Sequence, residues 1–375
     1  MMSNAFSDKP LFQAGAPIAQ RRRRYLELIV EESRRWYDTS GHWRLDVRPP
    51  LPHERMLVAT AQFAAGDADF AHSILRQART NVPVDVPYDI FDSNIAPMLL
   101  VRFRDQMDSD AVGQMEQLIR NAHRTPGQGN LRPALRAMGI NDNMPAAAAL
   151  GLTVGGAITG DDRAVEHGLW ILRDYSQLLK RRTINAEFNS PTYTPLFLLC
   201  MADIANYATH PEVQQLAVEI EARLWGDLAS RFHPEIGQLV GPFSRAYTNG
   251  MVGHFTNLSA LLWMLLGDRI DFAPHRMLAT TSAVIHLLGD VPFNLSQYVW
   301  VMLPEYHIPD IAWHYLHKKD YPHETSGDCE HAFFGCDFPA REGRIDTLIE
   351  REFGFGKSTT GFATGASLDF CPFGC

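Results

Sequence analysis

The sequence has no long hydrophobic run and no apolar segment near its first residues. A membrane-spanning helix needs roughly 18 consecutive apolar residues, and a secretion signal needs a shorter apolar stretch between a basic start and a small-residue cleavage site. Neither pattern is found, so we expect a soluble, cytoplasmic protein without a membrane partner.

Cysteine and positive charge are both scarce. The 375 residues include five cysteines, an odd number that does not suggest a disulfide framework. The 34 lysines and arginines are outnumbered by 43 aspartates and glutamates, which gives a formal net charge of -9. Polyanions are repelled by a negatively charged protein, so we do not expect nucleic acid as a partner. With 46% hydrophobic residues the composition is that of a globular protein, which excludes a collagen-like, coiled-coil or disordered chain.

What the sequence does contain is a repeated helical pattern. Apolar helices are joined by the turns Gly66-Asp67, Gly160-Asp161 and Gly267-Asp268, in which glycine suits a left-handed C-cap and aspartate the next N-cap. Inter-helix turns recur about every 50 residues, the length of a helical hairpin with its loop. This spacing predicts an all-α fold, an (α/α) toroid of about five to six hairpins. The basic run Arg21–Arg24 opens the first helix and is expected to be solvated.

The same pattern divides the chain into three parts. Residues 1–18 are predicted to be a flexible N-terminal arm, and residues 19–320 the toroid. Residues 321–375, rich in Cys, Gly and Phe, are predicted to be a short irregular or β-containing tail packed on the toroid. The best strand signals are Gln238–Val240 and Thr347–Ala363.

Polar residues that neither caps nor cores require are concentrated in three loops. The first contains three consecutive polar residues, Asn141, Asp142 and Asn143. A helix N-cap needs only one such side chain. Helix starts also offer free backbone N–H groups to an anion. An ordinary N-cap with an Asx turn is the alternative for this loop.

The second loop contains Glu187, Asn189 and Tyr193, and Pro191 and Pro195 restrict its backbone. It therefore presents an acid or base, an amide and a phenol on one rigid element. A simple capping loop before the next helix is the alternative.

The third loop begins at His233 and ends at His254, with Arg245 and Tyr247 between them. Residues two apart point to the same side of an extended segment. An arginine beside a tyrosine lowers the pKa of the phenol because the cation favours the phenolate. An ordinary surface loop is the alternative for this segment.

These loops and the helix pairs resemble the toroidal polysaccharide lyases and related hydrolases of the heparinase II/III and alginate lyase types. The resemblance extends over about residues 50–320 as helix-pair architecture and is specific only in the three loops. In such lyases an asparagine neutralises the uronic acid carboxylate, a tyrosine or histidine removes the C5 proton, and a tyrosine protonates the leaving oxygen.

The resemblance assigns the neutralising role to Asn143 or Asn189, and the base and acid roles to Tyr247 or His254. It makes Arg245 the carboxylate clamp. The predicted function is therefore a carbon–oxygen lyase that cleaves a uronic-acid-containing glycoside by β-elimination, without a cofactor. Further predicted substrate contacts are Asn141, Tyr193 and His233.

Two features depart from that group of lyases. Met144 stands where a histidine can follow the asparagine, and the last ~55 residues are too few for a large C-terminal β-sandwich domain. Together with the missing secretion signal, these departures favour a small intracellular substrate, or chemistry that has drifted from that of the group. The predicted partner is a small-molecule or oligosaccharide substrate.

Three other functions stay open. A glycoside hydrolase would use Glu187 with a second carboxylate from Asp142 or Asp203, although Asp203 lies among apolar residues and is expected to form a core salt bridge or to be exposed. A dehydratase, isomerase or cyclase of a terpenoid-type substrate would suit an aromatic-rich toroid. The last alternative is a non-catalytic helical-repeat binding protein.

No metal is predicted. His323, Cys329, His331 and Cys336 have suitable side chains for zinc, but their spacing matches no common zinc motif, so they are weak candidates. The pair Cys371 and Cys375 could form a disulfide, bind metal or do neither. The sequence does not indicate an oligomeric state.

Overall fold

The chain is predominantly helical, with a few small sheets. The computed structural model describes residues 17–80, 90–124, 142–245, 256–272, 291–331, 341–359 and 370–371. The helices in these ranges are α1 Ile18–Trp36, α2 Pro52–Ala64, α3 Ala68–Thr80, α4 Ile90–Phe103, α5 Ser109–Arg124, α6 Asn143–Thr159, α7 Asp162–Arg181, α8 Tyr193–Tyr207, α9 Pro211–Arg231, α10 Asn257–Leu266, α11 Val291–Met302 and α12 Asp310–His317. The strands are β1 Phe232–His233, β2 Gln238–Leu239, β3 Phe243–Ser244, β4 His323–His331, β5 Arg341–Ile349, β6 Gly354–Ser358 and β7 Phe370–Cys371.

The helices are of two kinds. Helices α3, α5 and α7 have one apolar face and one polar face, whereas α4, α6, α8, α10 and α11 are apolar on nearly all sides. A helix that is apolar all round must be surrounded by protein, and an amphipathic one lies at the surface. Almost every residue of α2 is also buried. We call α2, α4, α6, α8, α10 and α11 the central helices.

Each central helix packs against the next one in the series, and α11 packs against α2. The amphipathic helices α3, α5 and α7, together with α9, each pack on the central helix that precedes them in the chain. Helix α1 packs against α2, α10 and α11. The main hydrophobic core therefore lies among the central helices and beneath this outer set.

The starts of the central helices adjoin one another. The N–H of Leu258 at the start of α10 donates to the carbonyl of Pro191, just before α8, at 2.9 Å. His53 at the start of α2 lies 3.2 Å from the Asp92 carboxylate at the start of α4. Its ring also lies 6.4 Å from that of Phe293 at the start of α11. Polar groups at these starts are thus brought to one end of the helical part.

The opposite end is closed by Arg21 and Arg22, for which the expected solvated position is wrong, whereas Arg23 is exposed as expected. Arg21 is only 5% exposed and donates from Nε to the Met264 carbonyl at 2.7 Å and from Nη2 to the Leu265 carbonyl at 2.8 Å. Arg22 donates to the Met302 carbonyl at 2.6 Å. The last carbonyls of a helix lack partners within the helix and attract positive charge, so these arginines complete the ends of α10 and α11.

Two of the three predicted Gly-Asp turns are confirmed. Gly66 and Gly160 have φ values of 84° and 71°, in the left-handed region that glycine tolerates best. The Asp161 side chain accepts from the N–H of Ala164 at 3.1 Å and so begins α7. The third turn differs, because Gly267 opens the short 3-10 helix Gly267–Arg269 instead of a new α-helix.

The strands β4, β5 and β6 form an antiparallel sheet, which we call the C-terminal sheet. Strand β4 holds the segment after α7, since the N–H groups of Thr183 and Ile184 both donate to the Asp328 carbonyl at 3.1 Å. Strands β5 and β6 hold the segment after β2. There, Thr347 donates to the Gly241 carbonyl at 3.2 Å, and β6 lies so close to that backbone that only glycine fits at one of its positions. Farther on, β7 pairs with β3.

No helix in the described ranges combines the length and apolar character needed to cross a membrane. The predicted strand near residue 238 is confirmed as β2, and the expected tail strands as β5 and β6. The nine-residue strand β4 and helix α12 were not predicted.

Candidate functional site

Glu187 is the centre of the polar cluster that the loops form. It is 0% exposed and lies in the loop between α7 and α8, every residue of which is buried from Asn185 to Thr192. Asn143, the first residue of α6, donates from its backbone N–H to Oε2 at 2.8 Å and from Nδ2 to both carboxylate oxygens at 2.9 and 3.0 Å. A helix start is a natural anion site because its N–H groups are free and the helix dipole is positive there.

Burial raises the pKa of Glu187 above its ordinary value. The Arg245 guanidinium and the donors of Asn143 act in the opposite direction, because they stabilise the carboxylate, but burial is the largest effect.

Arg245 joins the carboxylate to a phenol. Its Nη1 lies 3.4 Å from Oε1 of Glu187, and its Nη2 donates to the hydroxyl oxygen of Tyr193 at 2.8 Å. The guanidinium also lies over the Tyr193 ring, with 4.3 Å from Cζ to the ring centre. The guanidinium thus places a cation and a hydrogen-bond donor beside the phenol oxygen. Tyr193 is only partly buried, as is Arg245, so these two form the accessible edge of the cluster.

Two residues of this cluster have unusual backbone conformations. Asn189 and Arg245 have φ values of 50° and 51°, in the left-handed region that non-glycine residues enter infrequently. Asparagine tolerates this region better than most residues, whereas arginine gains no such benefit. Such conformations persist when the surrounding structure holds them, and they concentrate at functional sites.

Asn189 fixes the loop that leads to Arg245. Its Nδ2 donates to the carbonyls of Val240 and Pro242 at 3.2 and 2.9 Å. On the other side of the loop, Ser244 donates from its N–H and its hydroxyl to the Phe188 carbonyl at 3.1 and 2.9 Å. The amide nitrogens of both Asn189 and Asn143 are therefore already engaged within the protein.

Tyr175 is a neighbour of the cluster that sequence reasoning missed. It is buried, its hydroxyl has no hydrogen-bond partner among the described residues, and its ring stacks on Phe197 at 4.7 Å. Burial raises its pKa well above the ordinary value, and the charges of Asp142 and Glu187 raise it further, so both carboxylates lie near the phenol. Tyr175 occupies the apolar face of α7, and nothing in the sequence distinguishes it from a core residue.

His233 makes its contacts elsewhere. It is buried, with Nε2 2.8 Å from the Glu350 carbonyl and its ring 5.9 Å from that of Tyr321. Burial lowers its pKa. These contacts join β1 to the turn between β5 and β6, and they do not require a substrate.

Several predicted site residues lie outside the described residues. These are Asn141, Tyr247 and His254, together with Cys336, Cys375 and the side chains of His331 and Cys371. The segments that contain Asn141, Tyr247 and His254 directly adjoin Asp142 and Arg245 in the chain. The roles predicted for these three residues stay predictions.

Asp203 forms the core salt bridge that the sequence suggested. It is 1% exposed and pairs with Arg102, whose guanidinium lies over the Tyr207 ring. Burial raises the pKa of Asp203, and Arg102 opposes that effect. The Asp203 carboxylate therefore forms a structural ion pair.

Of the weak metal candidates, His323 and Cys329 have described side chains, both on β4. No group of three or more His, Cys, Asp or Glu side chains in the described part of the chain could hold a metal ion. Cys329 is buried in a small apolar cluster with Ile184, Phe188 and Ile345, and burial raises its pKa to about 12. A thiol in such surroundings is a packing residue.

A small pocket with a cavity volume of about 20 Å³, enough for one water molecule, lies between α1, α2 and α11. Aromatic rings of Trp36, Trp43 and Phe293 line it, and so does the ion pair of Arg48 with Glu54. Phe293 belongs both to this pocket and to the surroundings of His53 described above.

Comparison with known proteins identifies a family but no function. Residues 87–292, more than half of the chain, match the model of a family described as a domain of unknown function, DUF8769. No curated protein and no solved structure gives a significant match. The matched segment contains Asn143, Glu187, Tyr193 and Arg245. The chain therefore belongs to the DUF8769 family.

Proposed function

We propose that this chain is a carbon–oxygen lyase that acts on a uronic-acid-containing saccharide, within an (α/α) toroid. The observation that supports it most is the contact of Arg245 with both the Tyr193 hydroxyl and the buried Glu187 carboxyl group. This contact provides a cation for a substrate carboxylate and a phenol able to act as a base.

The packing of the helices supports the toroid. The central helices contact one another in series, and the last contacts the first, as in a ring. Four of the outer helices follow their central helices as hairpins. In such a ring alternate helices run parallel, so the central helices all begin at one rim, where the polar cluster lies.

The proposed chemistry begins with the uronate carboxylate. The amide groups of Asn143 and Asn189 donate to other groups of the protein. We therefore assign to Arg245 the neutralising role that the sequence predicted for them. The raised pKa of Glu187 favours its neutral form, and in that form it competes less with a substrate carboxylate for the Arg245 guanidinium. Binding of that carboxylate stabilises the negative charge that develops when the adjacent C–H bond breaks.

In the elimination step, the phenolate oxygen of Tyr193 takes the proton from C5 of the uronate. The electron pair of that C–H bond forms the C4=C5 double bond, and the C4–O bond breaks. The leaving oxygen takes a proton from an acid, the role predicted for Tyr247 or His254. Glu187 positions Arg245 and does not touch the substrate in this scheme.

The test is a panel of uronic-acid oligosaccharides, with ultraviolet absorbance of the conjugated double bond as the signal. Tyr193→Phe is expected to abolish the signal. The matched control is Tyr207→Phe, since Tyr207 also lies beneath an arginine paired with a carboxylate. The two tyrosines are the first and last residues of α8, about 21 Å apart along the helix. Absence of signal across the panel, or equal loss in both variants, would refute the proposal.

Glycoside hydrolysis is the second candidate, and the raised pKa of Glu187 favours it because a general acid must be protonated before the reaction. With Asp203 committed to Arg102, the second carboxylate would be Asp142. A hydrolase would release reducing ends without ultraviolet absorbance. It would lose activity in Glu187→Gln and keep it in Tyr193→Phe.

A further inference from the structure

Three bases lie together where one end of the C-terminal sheet meets the end of α9. Lys319, between α12 and β4, is 4% exposed, and His233 of β1 is 1% exposed. The third base is His323, the first residue of β4, which is partly buried. None of the three takes part in the proposed elimination. Burial of a base is least costly when its surroundings suit the uncharged form, and this holds for each of them.

The surroundings of Lys319 suit an uncharged amine. Its Nζ donates to the Ala229 carbonyl of α9 at 2.6 Å and to the Tyr315 carbonyl of α12 at 3.1 Å. An amine has two N–H groups and an ammonium three, so the two carbonyls satisfy the amine completely. For the third N–H of an ammonium the described residues offer the Tyr315 ring, whose centre lies 4.9 Å from Nζ.

His233 is also held in its uncharged form. Its Nε2 lies 2.8 Å from the Glu350 carbonyl, in the turn between β5 and β6, so this nitrogen carries the proton and donates. Its Nδ1 accepts from the backbone N–H of Ile236 at 3.4 Å. A second proton on the ring would occupy Nδ1 and break that hydrogen bond. The Glu235 carboxylate, 3.5 Å from Nδ1, would compensate for part of the loss.

One ring nitrogen of His323 lacks a partner. The ring is hydrogen bonded to the Ser230 backbone and lies edge-to-face against Tyr315, with 5.3 Å between the ring centres. Its Nε2 is buried and has no hydrogen-bond partner among the described residues. A proton on Nε2 would therefore create a buried positive charge for which those residues provide no acceptor.

Tyr321 packs among these bases and contacts two of the charged groups that face them. Its ring lies 5.9 Å from that of His233, and its hydroxyl donates to the Glu235 carboxylate. The Arg351 guanidinium lies over the same tyrosine ring, 5.8 Å from its centre. Asp320 acts on His323. In the described part of the chain, the three bases are thus faced by two carboxylates and one guanidinium.

Burial lowers the pKa of all three bases, and it lowers that of Lys319 to about 7. The Lys319 charge lowers the pKa of both histidines further, so protonation of one base opposes protonation of another. The carboxylates act in the opposite direction, since Glu235 favours the charged forms of Lys319 and His233. Asp320 does the same for His323, but burial is the largest effect on each base.

We propose that Lys319, His233 and His323 form a pH-sensitive latch between α9 and the C-terminal sheet. The latch is closed while the three bases are uncharged. It loosens when they take up protons, because a charged base is more stable in water than in these buried contacts.

The latch gives the candidate site a dependence on pH that originates outside the site. Thr347 of β5 donates to the Gly241 carbonyl, four residues before Arg245. Loosening of the sheet therefore weakens the support of that segment as pH falls. The latch does not depend on the proposed lyase activity, so its test requires no substrate.

The direction and range of the effect follow from the ordinary and the lowered pKa values. A base whose pKa is lowered in the closed latch weakens the latch as pH falls from the ordinary pKa toward the lowered one. This range runs from about 10.5 to about 7 for Lys319, and it begins near pH 6.5 for the histidines. Uptake of one proton changes the ratio of open to closed latch up to about tenfold per pH unit. We expect an increase of at least about tenfold between pH 8 and pH 6.

The test is hydrogen exchange of the unmodified chain at pH 8 and pH 6, with each rate divided by that of an unstructured peptide at the same pH. The reporters are the N–H groups of Thr183 and Ile184, which donate to the Asp328 carbonyl of β4 and exchange when the sheet moves away. Their protection should fall at least about tenfold from pH 8 to pH 6. The N–H groups of α6 should keep their protection, because the helical core stays folded.

Variants assign the change to the latch. Lys319→Met should make the fall in protection smaller, and the control Lys318→Met, which alters the exposed neighbour, should leave it unchanged. His323→Phe keeps a ring against Tyr315 and removes the nitrogen that lacks a partner. It should also make the fall smaller, which keeps the test decisive if Lys319→Met does not fold.

The inference is overturned if Thr183 and Ile184 are equally protected at both pH values, or if α6 loses protection to the same extent. It is also overturned if the fall is unchanged in both Lys319→Met and His323→Phe. A uronide panel that gives no elimination product would refute the proposed function and leave each of these outcomes as it is, so the two failures can be told apart.

Discussion

Replacement of Arg245 by methionine should reveal how strongly the site depends on the Glu187 charge. Methionine fills much of the same space but removes the cation, and Glu187 is 0% exposed. Removal of one partner from a buried ion pair costs about 3–5 kcal/mol, because the other charge stays buried and uncompensated. Asn143 still donates three hydrogen bonds to Glu187, so we expect the lower end, about 3 kcal/mol at pH 8.

The loss should depend on pH in a defined direction. Burial already raises the pKa of Glu187, and removal of Arg245 takes away the effect that opposes burial, so the folded pKa rises further. A carboxyl group whose pKa is raised on folding gives its full stability below the unfolded pKa and loses it as pH rises through the folded pKa. The deficit of Arg245→Met should therefore be large at pH 8 and shrink toward pH 5.

The assay is urea unfolding of the unmodified chain, Arg245→Met, Glu187→Gln and the double variant, each at pH 5 and pH 8. Glu187→Gln removes the charge, so the double variant should recover much of the stability that Arg245→Met loses at pH 8. A deficit that is equal at both pH values and additive in the double variant would refute the reasoning, because Arg245 would then act only by packing.

Three further outcomes follow from the structure. Gly356→Ala should destabilise the fold by about 1–3 kcal/mol and impair the site, because a Cβ there collides with backbone. The control is Gly226→Ala on α9, where the Cβ meets open space, and it should raise the free energy of unfolding by about 0.5–1 kcal/mol in the same assay. Arg21→Met should cost about 1–2 kcal/mol through the lost carbonyl contacts, and the exposed Arg23→Met close to nothing, by thermal unfolding. Burial lowers the pKa of Lys319 to about 7, so its contribution should be lost as pH falls from above 10 toward 7, and Lys319→Met should remove that slope.

Much of the helical part could be predicted because its signals are local. The apolar spacing of each helix and the Gly-Asp turns depend on neighbours within a few residues, and Gly66 and Gly160 take the predicted conformation. The site loops could be found for the same reason. The loop before α8 contains more polar side chains than helix capping or core packing requires, namely Glu187, Asn189 and Tyr193.

The rest depends on contacts between distant residues, which one sequence does not record. The sequence predicts that Arg21 lies at the solvated start of a helix. In the structure its guanidinium donates to the carbonyls of Met264 and Leu265, more than 240 positions away. The sequence likewise predicts Asn143 as a ligand for substrate, whereas its amide binds Glu187, 44 positions later. No local pattern distinguishes an amide that awaits a ligand from one that holds a neighbouring loop.

The C-terminal sheet has a consequence for the order in which the protein is made. It holds the backbone before Glu187 through Asp328, and the backbone before Arg245 through Thr347. During synthesis the helices emerge first, and residues 323–358 leave the ribosome after them. A nascent chain that ends near residue 320 would contain every described helix but lack the support that sets Arg245 against Glu187. Helix formation would then precede assembly of the contacts between Arg245 and Glu187.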